Sequence, residues 1–129
     1  MKLLLDTHII ILSLSSPERL SKKVQEFISD AETIYVSAAS IWEIGIKIQL
    51  GKLQLNLMDF IKEMQALGIQ ELPITWAHAQ ATKSLPLHHK DPFDRLLIAQ
   101  AINEPLQLLT SDSMLIQYSK LIRHTDSIL

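Results

Sequence analysis

The sequence predicts an α/β fold in which helices cover both faces of a mostly parallel, five-stranded sheet. Short apolar runs alternate with segments of helical spacing, as in proteins with parallel sheets. The first run, Lys2 to Leu5, is apolar without alternation, which is typical of a strand buried on both faces. No repeat, linker or low-complexity segment interrupts the 129 residues, so we expect a single domain over residues 1–129.

The predicted strands are short and rich in aliphatic, aromatic or β-branched residues. The helices are recognised by their capping residues and by apolar positions three or four apart. We place the five strands at residues 2–5, 33–36, 69–74, 106–109 and 120–123.

Three helices are predicted in the first half of the chain. Ser16-Pro17 opens the first, with serine as the cap and proline in the first turn. The segment Ser40–Glu43 has the form of a capping box and begins a second helix that Gly51 can end. Asn56 caps a third, which Gly68 ends.

Three more helices are predicted in the second half. Thr75 starts a short one that must end before Pro86. Asp91-Pro92 opens a longer helix, which Asn103 closes, and Asp112 begins a short helix after the fourth strand. Trp42 and Trp76 each begin an apolar helical pattern, so we expect both side chains in the core.

Composition limits the function classes. Apolar residues make up 47% and charged residues 20% of the chain, as in an ordinary globular domain. No apolar run approaches the roughly 20 residues that span a bilayer, so we expect no membrane association. The absence of cysteine excludes disulfides and thiolate metal sites and is compatible with a reducing cytoplasm, where we expect the protein to act.

The net charge of −2 bears on nucleic-acid binding. Proteins that bind long nucleic acids by phosphate neutralisation usually carry a basic excess, which this chain lacks. A polyanionic substrate would therefore require a local basic patch, bound cations or a partner.

Four acids occupy strand-to-helix junctions or helix starts. Asp6 ends the first strand, Glu43 lies in the first turn of the predicted second helix, Asp94 follows Asp91, and Asp112 follows the fourth strand. Because the carboxyl ends of parallel strands share one edge of a sheet, these side chains are expected to converge there.

Two interpretations of these acids remain open. Each acid could simply cap a helix, which typically stabilises a helix by ~0.3–1 kcal/mol. Alternatively, clustered anions at a partly buried edge repel one another unless they are protonated or bridged by cations, and Mg²⁺ prefers oxygen ligands. A bound cation would support phosphodiester hydrolysis by activated water and would reverse the local field for a polyanion.

Four segments together resemble the PIN-domain family, and especially its VapC-type toxins: "LLLDTHIIIL", "VSAASIWEIGIK", "HHKDPFDRLLIAQA" and "LLTSD". The resemblance implies a three-layer α/β/α sandwich and an endoribonuclease site that uses Mg²⁺ or Mn²⁺. It assigns the catalytic and metal-binding roles to Asp6, Glu43, Asp94 and Asp112. It also implies an RNA substrate, a homodimer and a cognate antitoxin whose tail enters the acidic groove.

Other polar residues near the third acid have two interpretations each. Lys90 and Arg95 are candidate substrate contacts through phosphate, although Arg95 could instead pair with a neighbouring aspartate. His88 and His89 could contact phosphate or move a proton, or could be exposed loop residues. Asp91 could contact the metal or only cap its helix, and we expect capping.

Competing functions are also open. A phosphatase or phosphotransferase could use Asp6 as the nucleophile, but such enzymes commonly carry a second aspartate two positions later, where this chain has His8. The acidic groove could belong to a non-catalytic module that docks a basic peptide. Some PIN-domain nucleases act in RNA processing rather than as toxins.

Overall fold

The computed structural model describes residues 1–128 and contains one five-stranded sheet. Its strands are β1 (Lys2–Leu5), β2 (Thr33–Ser37), β3 (Gln70–Leu72), β4 (Gln107–Thr110) and β5 (Ile122–His124). The strand order is β3-β2-β1-β4-β5, and every neighbouring pair runs parallel. The predicted α/β class and the five strands are thus confirmed.

Besides these strands, residues 1–128 form six α-helices and four short 3₁₀ turns. The α-helices are α1 (Thr7–Ser15), α2 (Lys22–Ser29), α3 (Ala38–Gln49), α4 (Leu57–Ala66), α5 (Trp76–Ala81) and α6 (Pro92–Asn103). The 3₁₀ turns cover Pro17–Arg19, Thr82–Ser84, Ile116–Tyr118 and Thr125–Ser127.

Helices lie on both faces of the sheet, because alternate side chains of each strand point to opposite sides. On β1, Leu3 and Leu5 pack in a core with α1 to α4, whereas Leu4 packs on the other face with α6. All three leucines are almost fully buried, as expected for the central strand of a parallel sheet. The predicted three-layer arrangement is confirmed.

The order of the strands creates a crevice beside β1. From β1 the chain moves outward to β2 and β3, then crosses to the opposite side of β1 to form β4 and β5. Ligands in open parallel sheets bind where the strand order reverses, outside the carboxyl ends of the strands. The end of β1, between β2 and β4, is therefore the position to search for a site.

Two helix starts differ from their predictions. The first helix does not begin at Ser16: Pro17–Arg19 forms a 3₁₀ turn, and α2 starts after Ser21, whose hydroxyl accepts the Val24 N–H at 3.1 Å. The next helix, α3, begins one turn earlier than predicted, with Ser37 as its cap. The prediction of a capping box at Ser40 is therefore wrong.

The caps of three other helices are as predicted. Asn56 accepts the Asp59 N–H, Thr75 forms a capping box with His78, and Asp91 accepts the Asp94 N–H. Gly51 and Gly68 follow α3 and α4 with φ of 72° and 79°, in the left-handed region that glycine adopts without strain.

Three further predictions failed. Asp112 starts a turn rather than a helix, and a 3₁₀ turn forms only at Ile116–Tyr118. Trp42 and Trp76 are 61% and 94% exposed, not buried. Trp76 is the first residue of α5, and Trp42 contacts the Phe93 ring edge to face, with the ring centroids 5.2 Å apart. Over residues 1–128, no helix is long and apolar enough to cross a membrane.

The start of α2 can be tested with a pair of serine substitutions. Ser21→Ala should lower the free energy of unfolding by about 1 kcal/mol, because the Val24 N–H loses its acceptor. Ser16→Ala is the matched control and should change it by less than about 0.5 kcal/mol, since its side chain makes no capping bond. Urea unfolding followed by circular dichroism measures both, and a larger loss at Ser16 would contradict this helix start.

Candidate metal centre

Asp6 is the most buried of the four predicted acids. It caps α1, and its Oδ1 accepts the Ile9 N–H at 2.9 Å. The pKa of Asp6 is raised to about 6, chiefly by burial and to a smaller extent by the nearby carboxylates of Glu43 and Asp112, although hydrogen bonds from Thr110 and Ile9 lower it. Its surroundings at the end of β1 therefore disfavour the ionised form of the carboxyl.

Glu43 lies in the second turn of α3 and is not part of any cap. Ser40, its predicted capping partner, instead accepts a hydrogen bond from the Thr7 hydroxyl at 2.9 Å, which joins the starts of α1 and α3. The Glu43 Oε2 pairs with Lys47 Nζ at 3.5 Å, whereas Oε1 is buried and has no hydrogen-bond partner. A buried acceptor without a partner is costly, and a bound cation would satisfy it.

Asp94 lies in the first turn of α6, and its N–H is bonded to Asp91 Oδ1 at 3.0 Å. Asp91 thus caps the helix as predicted, and Asp94 is not needed as a cap. The pKa of Asp94 is raised to about 6, chiefly by burial and also by repulsion from Asp91 and Asp6, although His89 lowers it.

His89 joins the third and fourth acids. Its Nε2 lies 2.8 Å from Asp94 Oδ2 and 3.9 Å from Asp112 Oδ2. These three residues each place one potential ligand atom within 4.8 Å of the others. Asp112 is held by the Met114 N–H, which Oδ1 accepts, and by its own N–H, which donates to Thr110.

The structure brings the four predicted acids to one edge of the sheet, but not into one equally tight group. Asp6 and Glu43 lie outside the cluster that Asp94 and Asp112 form with His89. Asp6 is nevertheless close enough to Glu43, Asp112 and Asp94 for the charges to shift pKa values. The four acids therefore lie close enough together for their negative charges to interact.

The donor set fits a divalent cation. Four carboxylates offer the hard oxygen ligands that Mg²⁺ and Mn²⁺ prefer, and the unpartnered Oε1 of Glu43 is available to a cation. A cation would also relieve the repulsion that acts on Asp6 and Asp94. The assignment of these residues as ligands stays a prediction.

His89 is the site residue that sequence reasoning left undecided. An exposed loop position is one of its predicted interpretations, but its side chain is only 19% exposed and contacts Asp94. Its spacing of five residues from Asp94, with the capping Asp91 between them, is the signal in the sequence that places it near the start of α6. His88 and Lys90, by contrast, are exposed.

Arg95 does not pair with Asp91 or Asp94, which was one of its two predicted interpretations. Among the described residues it forms no ion pair, and its guanidinium donates instead to backbone carbonyls of the preceding loop. Its predicted contact with substrate phosphate, like that of Lys90, is untested.

The PIN domain family model matches residues 3–121. The chain belongs to this family. It is also 30% identical to Ribonuclease VapC22 of Mycobacterium tuberculosis over 115 residues, which is 87% of this chain and 88% of the relative. The predicted membership in the PIN-domain family is thus confirmed.

Solved structures share the PIN fold at low sequence identity. VapBC2 from Rickettsia felis, bound to a promoter DNA fragment, gives a TM-score of 0.72 at 14% identity, with 96% of this chain and 98% of that chain covered. VapBC-1 from nontypeable Haemophilus influenzae gives 0.69 at 17% identity, with 98% and 100% covered. FitAcB from Neisseria gonorrhoeae gives 0.68 at 18% identity, with 97% and 99% covered.

The raised pKa of Asp6 predicts a pH-dependent stability in metal-free protein. The folded state holds this proton more tightly than the unfolded chain, so its stabilising contribution is full below about pH 4 and is lost as the pH rises through 6. Asp6→Asn keeps a good cap and removes the charge, and it should raise the free energy of unfolding at pH 7 by ~1–3 kcal/mol. At pH 4 the gain should be much smaller.

Urea unfolding in a chelator, measured across pH 4–8, tests this expectation. Glu63→Gln, on the exposed side of α4, removes an acid outside the site and should follow the wild-type profile. An Asp6→Asn variant that is less stable than wild type at pH 7 would show that the Asp6 charge is stabilised rather than repelled.

Proposed function

We propose that this PIN-domain protein is a metal-dependent endoribonuclease and the toxin of a bacterial type II toxin–antitoxin pair. The observation that carries the proposal is the convergence of four acids at the end of β1, with a buried Glu43 oxygen left without a partner. The 30% identity to a protein named as a ribonuclease supports RNA as the substrate. RNA cleavage would take place in the cytoplasm.

We assign the cation, Mg²⁺ or Mn²⁺, to Asp6, Glu43, Asp94 and Asp112. When bound, such a cation supplies Lewis-acid activation of water and stabilises negative charge at a phosphodiester. No serine, cysteine or histidine is arranged as a nucleophile among the described residues, so water is the expected attacking group.

The protein's own contribution is to fix the acids and to keep their charges close. The Ile9 N–H and the Thr110 hydroxyl hold Asp6, and Lys47 holds one oxygen of Glu43. Preorganised ligands of this kind need little rearrangement when substrate arrives. Lys90, exposed beside the site, is assigned to a phosphate of the RNA.

The partners follow from the same proposal. Solved relatives include a toxin–antitoxin complex from Klebsiella pneumoniae, with a TM-score of 0.67 at 15% identity. We assign to this chain a cognate antitoxin that carries a basic segment, since the acids attract one, and a homodimeric state. Silencing of RNA cleavage by that antitoxin would separate a toxin from an RNA-processing nuclease.

Two substitutions test the metal site. Asp6→Asn and Glu43→Gln should each lower metal-dependent cleavage of a sensitive RNA by more than the roughly 10–100-fold typical of an outer-shell residue. Both variants should remain folded by circular dichroism, because each replacement is nearly isosteric. Glu63→Gln should cleave at the wild-type rate.

Metal binding gives a second readout that requires no RNA. Mn²⁺ should raise the thermal unfolding temperature of wild type and of Glu63→Gln, and should raise it much less in Asp6→Asn and Glu43→Gln. Wild-type cleavage by Asp6→Asn, or an unchanged Mn²⁺ shift in both site variants, would overturn the assignment.

A further inference from the structure

The loop before α6, residues 82–90, is folded around the side chain of Arg95. The guanidinium donates hydrogen bonds to four carbonyl oxygens: those of Thr82 at 2.8 Å, Leu85 at 3.1 Å, Pro86 at 2.8 Å and His89 at 3.1 Å. Arginine presents five N–H donors in a fixed plane, and lysine cannot reproduce this fork. Most of the donor capacity of Arg95 is thus used inside the protein.

Tyr118 closes the same loop from the other side. Its hydroxyl accepts the His89 N–H at 2.8 Å, donates to the Pro86 carbonyl at 2.8 Å and lies 3.5 Å from Arg95 Nη1. Tyr118 belongs to the 3₁₀ turn that follows Asp112. The loop is therefore tied both to α6, which carries Asp94, and to the segment that carries Asp112.

These bonds fix both main-chain polar groups of His89. Its N–H is held by Tyr118 and its C=O by Arg95. With the main chain fixed, the imidazole Nε2 reaches Asp94 Oδ2 at 2.8 Å. An ionised carboxylate has only acceptors, so Nε2–H is the donor and this bond orients Asp94. Outer-shell hydrogen bonds of this type orient the ligands of metal sites.

We propose that Arg95 and Tyr118 are positioning residues, which hold His89 so that its imidazole orients the Asp94 carboxylate, and that Arg95 does not bind RNA phosphate. The proposal rests on the proposed function for its catalytic consequence. We use the name clamp for Arg95 and Tyr118 together with the loop of residues 82–90 that they bind.

Arg95→Lys separates the clamp from a phosphate contact. Lysine keeps the charge and binds phosphate well, so a phosphate contact would survive the substitution. The clamp would be lost, because one ammonium group cannot donate hydrogen bonds to all four carbonyls. We expect Mn²⁺ binding, measured by calorimetry, to weaken roughly 10–100-fold and kcat to fall with little change in KM.

Arg95→Gln and Lys90→Gln form a second, matched pair that removes one positive charge each. With log Kd for RNA plotted against log salt in chelator, Lys90→Gln should reduce the slope by about 0.7, as for one lost phosphate contact on a single strand. Arg95→Gln should leave the slope unchanged. Lys90→Gln should in turn leave Mn²⁺ affinity at the wild-type value.

Tyr118→Phe removes a single hydroxyl and tests the clamp if the Arg95 variants do not fold. We expect weaker Mn²⁺ binding than in wild type, in the same direction as Arg95→Lys. In metal-free wild type, the His89 Nε2–H should give a downfield, slowly exchanging proton resonance, identified by its loss in His89→Gln. This resonance should be absent or broadened in Tyr118→Phe.

The clamp and the proposed function fail in different ways. If wild type does not cleave RNA or bind Mn²⁺, the function is wrong, and the His89 resonance still tests the clamp. If wild type cleaves RNA while Tyr118→Phe keeps wild-type Mn²⁺ affinity and the His89 resonance, the clamp is wrong. A reduced salt slope for Arg95→Gln would show instead that Arg95 binds phosphate.

Discussion

Repulsion between carboxylates is the constraint on which the site depends. A parallel sheet places the ends of β1, β2 and β4 at one edge, and the acids that follow them are brought together there. Burial and neighbouring charges raise the pKa values of Asp6 and Asp94 to about 6, so both are largely ionised at neutral pH and repel one another. The folded chain therefore carries uncompensated negative charge at this edge of the sheet, and a cation is the simplest group that would compensate it.

The protein offsets part of this repulsion by anchoring one oxygen of every acid. Such bonds lower the cost of each charge and also fix the direction of the other oxygen. The anchors are the Ile9 N–H for Asp6, Lys47 for Glu43, His89 for Asp94 and the Met114 N–H for Asp112. Because none of these contacts neutralises the whole cluster, the same arrangement that limits the repulsion keeps the site attractive to a cation.

The features that local chemistry determines could be predicted from the sequence, and those that packing decides could not. The apolar run of β1 and the Asp91 cap depend on neighbouring residues alone, and both were predicted. The start of α2 depends on a choice between two good serine caps, Ser16 and Ser21. Leu20 lies between them and is buried in the core, so helix α2 begins only after this residue.

The candidate site divides along the same line. Its four acids follow from the chain order of a parallel sheet, whereas the contact between His89 and Asp94 requires a loop whose shape is set by Arg95 and Tyr118. Tyr118 lies 29 residues from His89 along the chain, and no local pattern encodes that bond. The hydrogen bonds of Arg95 also show why a count of basic residues overstates the positive charge that is accessible to RNA. Arg95 is basic in the sequence, but in the fold its donors face the protein's own carbonyls. In the proposed function, the polyanion is therefore attracted by cations at the acids and by exposed residues such as Lys90.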